Sequence, residues 1–130
     1  MKILLPFILL VAITMTTHAA EKLQHVVSFK FKPSASADDI KKVEAAFREL
    51  KSKIPEIVTF EWGTNVSKEN HDKGFTHCFI LSFKSEKDRD TYIGHPDHKA
   101  FAKLAGAAVA DVVRPERSSV RGSVTSLFGV

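Results

Sequence analysis

Residues 75–101 read FTHCFILSFKSEKDRDTYIGHPDHKAF, and their pattern decides the fold. Phe75, His77, Phe79, Leu81 and Phe83 alternate with Thr76, Cys78, Ile80, Ser82 and Lys84. That is the period of a β-strand with one aromatic face. Ser85, with Asp88 three residues on, then marks a helix N-terminus. Tyr92 and Ile93 form the apolar end of this helix, and Gly94-His95-Pro96 breaks it. Glycine suits a left-handed helix end, and proline cannot continue the hydrogen-bond ladder. Asp97 is placed to cap a further helix carrying Phe101, Leu104 and Ala108.

Upstream, residues 23–32 (LQHVVSFKFK) repeat the alternation, with Leu23, His25, Val27, Phe29 and Phe31 on one face. Ser36 and Asp39 are spaced as a capping box. Ile40, Val43, Phe47, Leu50 and Ile54 follow at intervals of three and four, the stripe of an amphipathic helix that Pro55 ends. Lys41, Lys42, Glu44, Arg48, Glu49 and Lys51 fill its solvent side. Residues 57–64 predict a strand with Val58, Phe60 and Trp62 on one face, and the polar residues 65–74 a loop. That loop opens with Asn65-Val66-Ser67, a glycosylation sequon that matters only in a eukaryotic secretory pathway, and it holds a solvated His71. A last strand is expected within residues 109–121, and residues 122–130 carry no predicted structure.

The order strand, helix, strand, strand, helix, strand is a split βαβ, the ferredoxin-like α+β arrangement. Helices cover one face of an antiparallel sheet. The other face carries Val26, Cys78 and Ile80, and a second copy of the sheet would bury it.

The chain has 130 residues, room for one domain. Lys2, the apolar run from Ile3 to Met15 and the small residues Thr17 and Ala19 form an export signal over residues 1–19, with cleavage after Ala19 or Ala20. The run is too short to span a bilayer, so no stable membrane insertion is expected after cleavage and the protein is expected to be periplasmic or extracellular. The mature domain, residues 20–130 with a core near 23–121, is 111 residues long. Lys2 is the only acidic or basic residue removed, which takes the formal charge from +4 to +3. Charges of both signs are interleaved, with no basic tract for nucleic acid. The single cysteine, Cys78, precludes an internal disulfide and is expected to be a buried small hydrophobe.

Histidines supply the candidate chemistry. His25 and His77 each fall on an inward strand face among aromatic residues. Such a histidine is more often a core residue with one satisfied hydrogen bond, but two on adjacent strands suggest a shared dry site. Tyr92 and His98 lie six apart, about 240° around a continuous helix, so only the Gly94-His95-Pro96 break can turn both toward one pocket.

Four stretches carry a family resemblance: QHVVSFKFK (24–32), IPEIVTFEWGTNVS (54–67), GFTHCFILSFKS (74–85) and DTYIGHPDHKAF (90–101). From Gln24 to Phe101 the chain resembles the stress-responsive dimeric α/β-barrel (Dabb) family. The spaced set Tyr92, His95, Pro96, His98 and Phe101 is its most distinctive piece. The resemblance implies a ferredoxin-like subunit that forms a homodimer through its sheet face, giving an α+β barrel. A polyketide-cyclase branch of the family closes a chain by aldol chemistry. On that branch's pattern Tyr92 and His98 would be catalytic, with His25, His77, Val27, Phe29 and Phe47 binding substrate. A histidine base and a tyrosine hydroxyl facing the developing enolate suit that reaction. Beyond Phe101 the match fades into the Ala-rich KLAGAAVADVV (103–113), so one pocket wall, and any substrate, differs.

Two function classes stay open. One is a homodimer that binds a small apolar carbonyl molecule, with cyclase- or lyase-like activity. The other is a structural or stress-protective homo-oligomer. A weaker third, haem or metal bound by converging His25, His77 and His98, lacks any supporting ligand spacing, and no cofactor or metal is expected.

Overall fold

The computed structural model describes residues 22–118. The export signal expected over residues 1–19 and the tail 122–130 lie outside the described residues. The chain runs β1 (Leu23–Phe31), α1 (Ala37–Lys53), β2 (Thr59–Thr64), β3 (His77–Phe83), α2 (Glu86–Gly94), α3 (Pro96–Ala108), β4 (Val109–Val113) and β5 (Glu116–Ser118). The antiparallel sheet has the order β2-β3-β1-β4, with β5 also on β1. This is the ferredoxin-like α+β fold.

β4 and β5 are two segments of one edge strand. Ser28 faces Val113 and His25 faces Glu116, so three residues separate the pairs on both strands and the register is unchanged across the gap. Pro115 interrupts the ladder because it has no N–H. Its carbonyl still accepts from the Val26 N–H at 3.0 Å.

α1 begins where its capping box stands. Ser36 Oγ accepts the Asp39 N–H at 3.1 Å, and the Asp39 carboxylate accepts the Ser36 N–H at 3.0 Å. Val43, Phe47, Leu50 and Ile54 are buried. The Phe47 ring centroid lies 4.4 Å from that of Phe101 and 4.5 Å from that of Phe79, which pins α1 to both α3 and the sheet. Each fully buried phenylalanine contributes about 1.5–3 kcal/mol, so this aromatic cluster is the mechanical centre of the domain.

Several expectations need correction. Gly94 does not take the left-handed conformation; it is the last residue of α2, and the only glycine among the described residues with positive φ is Gly74. The break comes from Pro96, which excludes helical geometry for the residue before it. His95 is accordingly extended, at φ −66° and ψ 137°. Nor does Asp97 cap α3: His95 is the cap, and its Nδ1 accepts the Asp97 N–H at 3.2 Å. On α3 the buried stripe is Phe101, Ala105 and Ala108, whereas Leu104 is exposed, because the 3.6-residue turn carries the core side from Phe101 to a position four residues on. Cys78 is exposed rather than buried. It lies with Val26 and Ile80 on the face away from the helices, which no other element among the described residues covers.

Candidate functional site

A cavity of about 250 Å³ opens between the sheet and α3, near the α2–α3 junction. Its walls include His25, Val27, Phe29, Phe47, Tyr92 and His98. Because His95 is extended, the chain turns between Tyr92 at the end of α2 and His98 in the first turn of α3. The two rings meet with centroids 4.4 Å apart. The His25 ring stands 5.8 Å from Tyr92, so the tyrosine has two imidazoles beside it.

Hydrogen bonds assign the tautomers. His98 Nδ1 lies 3.1 Å from the Ile93 carbonyl, which can only accept, so Nδ1 carries the proton and Nε2 keeps its lone pair. His25 Nδ1 lies 3.0 Å from Glu116 Oε1, and the same reasoning leaves its Nε2 unprotonated. The second oxygen of Glu116 accepts from Arg89, whose Nε also donates to Asp90 at 2.7 Å. Burial lowers the pKa of both histidines. For His25 the Glu116 carboxylate opposes that effect; for His98 the Ile93 carbonyl does. Burial also pushes the Tyr92 phenol well above its ordinary value, so it remains a protonated donor. Among the described residues nothing hydrogen-bonds to its hydroxyl.

His77 does not join this group. Alternation places it on the same sheet face as His25, but register sets how far along. His25 faces Leu81 and His77 faces Phe29, four residues apart along the ladder, or about 13 Å at 3.3 Å per residue. At that far end His77 Nε2 donates to Glu44 Oε1 at 2.8 Å and Nδ1 accepts from Thr76 Oγ1 at 2.9 Å. The Trp62 indole lies parallel to it, centroids 6.2 Å apart. Glu44, expected on the solvent side of α1, is therefore half-buried and engaged. Three histidines do not converge on a metal position, and among the described residues no group of three or more His, Cys, Asp or Glu side chains does.

Sequence reasoning missed Arg89, Arg114 and Glu116. Glu116 is 91 residues from His25, and only the pairing of β5 with β1 brings them together.

The fold and site thus define a class: a ferredoxin-like α+β subunit with a histidine–tyrosine–histidine cavity beneath its helices. Residues 23–118 match the model of the Stress responsive A/B Barrel Domain, Dabb, and the chain belongs to that family. It is 34% identical over 82 residues to the stress-response A/B barrel domain-containing protein HS1 of Arabidopsis thaliana, covering 63% of this chain and 75% of that one. It is 28% identical over 82 residues to olivetolic acid cyclase of Cannabis sativa, covering 63% and 81%. Among solved structures it is similar to the hydroxynitrile lyase of Passiflora edulis, with a TM-score of 0.75, 26% identity and coverage of 79% and 97%. A dimeric ferredoxin-like protein of unknown function from Thermobifida fusca shares the fold, with a TM-score of 0.68, 20% identity and coverage of 78% and 93%.

Proposed function

We propose that this chain is an exported, homodimeric Dabb protein that binds a small apolar carbonyl compound between sheet and helices and transfers a proton on it, in cyclase- or lyase-type chemistry. The observation that carries the proposal is Tyr92 beside two histidines whose Nε2 atoms are both free bases, on the wall of a cavity lined mainly by apolar side chains. A dry cavity of about 150 Å³ suffices for benzene. One of 250 Å³ therefore admits a single substituted ring or a short folded chain.

The chemistry follows from the tautomers. His98 Nε2 removes a proton from the carbon next to the carbonyl, and the C–H electron pair moves onto the carbonyl oxygen. Tyr92 donates a hydrogen bond to that oxygen. The enolate carbon then attacks a second carbonyl in the folded chain, and the His98 imidazolium returns its proton to the alkoxide formed. The reverse sequence cleaves a C–C bond. Burial keeps both imidazoles neutral near pH 7, the state a base requires. Two similar proteins whose names denote a cyclase and a lyase support this class of reaction.

Export rests on the signal pattern of residues 1–19. The homodimer rests on the uncovered face of Val26, Cys78 and Ile80, and on a neighbour described as dimeric. Cavity occupancy is tested with acetophenone, a neutral aryl ketone, by thermal shift and calorimetry on wild type, Tyr92→Phe and His98→Ala. The wild type binds and each variant binds more weakly; identical profiles for all three would overturn the proposal.

A further inference from the structure

Among the described residues Arg114 is the one Lys or Arg on the wall of the cavity. The unbroken register between Ser28–Val113 and His25–Glu116 places it opposite Val27. Alternation then puts Val112, Arg114 and Glu116 in one row on the helix side of the sheet, facing Phe29, Val27 and His25. Its neighbours in that row and beside it are accounted for. Glu116 is held by His25 and Arg89, and Arg89 also holds Asp90. Asp111 borders the cavity too, but it faces Lys30 across the ladder, and Lys30 belongs to the outward set. One oxygen of Asp111 accepts the Val112 N–H at 2.8 Å. Arg114 has no ion pair or hydrogen bond to any described residue. It nonetheless lies close enough for its charge to act on His25, Tyr92 and His98 together.

A guanidinium without a partner among the described residues, at the exposed rim of the cavity beside a base and a hydroxyl donor, selects for charge in the ligand. Its planar fork matches a carboxylate, with two parallel N–H donors for two oxygens. From this placement we infer that the ligand is anionic: a small carbonyl compound bearing a carboxylate, with the apolar body inside, the carbonyl toward Tyr92 and His98, and the carboxylate on Arg114. The inference rests on the cavity reading above and adds the class of compound it takes.

The test pairs 3- and 4-acetylbenzoate with 3- and 4-acetylbenzamide, neutral compounds of nearly the same shape, by calorimetry at pH 7 in low salt. For the wild type, at least one acetylbenzoate binds about tenfold more tightly than its amide. Raising the salt to several hundred millimolar shrinks the difference, as screening requires. In Arg114→Gln the preference falls to near unity, and in Arg114→Lys part of it survives. Arg117→Gln, which removes an arginine that is not on the wall of this cavity and donates to Gln24, keeps it. Equal affinity of both pairs in the wild type, or a preference that survives Arg114→Gln, overturns the inference and leaves the cavity reading standing. Failure of all four probes while acetophenone binds overturns the inference alone; failure of acetophenone as well overturns both.

Discussion

Ala105 is buried on α3 and lies on the cavity wall, so replacing it with leucine asks whether the space is there. The substitution adds three carbons. At about 0.8 kcal/mol per buried methylene the upper bound is about 2.4 kcal/mol of stabilisation. The cavity is open on one side, so about half of that burial is realised, and the lower helix propensity of leucine removes a few tenths. The expected gain is about 1 kcal/mol. For a domain of this size that raises the midpoint of thermal unfolding by about 4–8 °C. If instead the wall were packed solid, the same three carbons would force neighbours off their rotamers and cost about 1–3 kcal/mol. The sign of the change therefore decides the matter. Circular dichroism melts give the stability, and acetophenone calorimetry on the same protein gives the binding. A leucine that stabilises the fold and abolishes binding fits the account. One that lowers the melting temperature, or leaves acetophenone binding intact, refutes the reasoning.

Three further outcomes are expected. Burial lowers the pKa of His25 and His98 in the folded protein, so the unfolded chain takes up protons first as pH falls below about 6.5; urea unfolding from pH 7.5 to 5 will show stability falling through that window, and His98→Gln will flatten the fall, whereas an unchanged slope contradicts the assignment. His77→Gln removes the bond to Glu44 at the far end of the sheet and costs about 1–3 kcal/mol, yet acetophenone affinity stays within twofold, because His77 is not on the cavity wall; a tenfold loss would mean the two ends are coupled. Cys78 is exposed in the single chain and lies on the uncovered sheet face, so its reaction with a thiol reagent will be slow at concentrations where light scattering reports a dimer and will speed up on dilution; equal rates at both concentrations would remove that face as the interface.

Periodicity made the elements readable because each apolar stripe is long and bounded by a cap or a proline. The Ser36–Asp39 spacing marks the start of α1, and the Val43–Phe47–Leu50–Ile54 run its buried side. The Tyr92–His98 meeting was also legible, since Pro96 sits between them and a continuous helix would have turned them apart. The agent, however, was the constraint Pro96 places on His95, and not a left-handed Gly94. Alternation tells which face of a sheet a side chain takes and says nothing of its position along the ladder. His25 and His77 therefore read alike in the sequence and end up at opposite ends. The same limit hid Glu116 and Arg114: their placement against β1 depends on the register of an edge strand split by Pro115, for which no local pattern exists. Leu104 shows the other weakness of short stripes, because with only three or four apolar positions a helix face can be drawn one residue off.

Nitrogen-15 NMR of histidine-labelled protein at pH 7 reads the proton positions of the three imidazoles directly. The hydrogen bonding at the three rings predicts Nδ1–H tautomers for His25 and His98, an Nε2–H tautomer for His77, and acetophenone-induced shifts at the Nε2 atoms of the first two with none at His77. Nε2–H tautomers at His25 and His98, or a ligand response centred on His77, would contradict it.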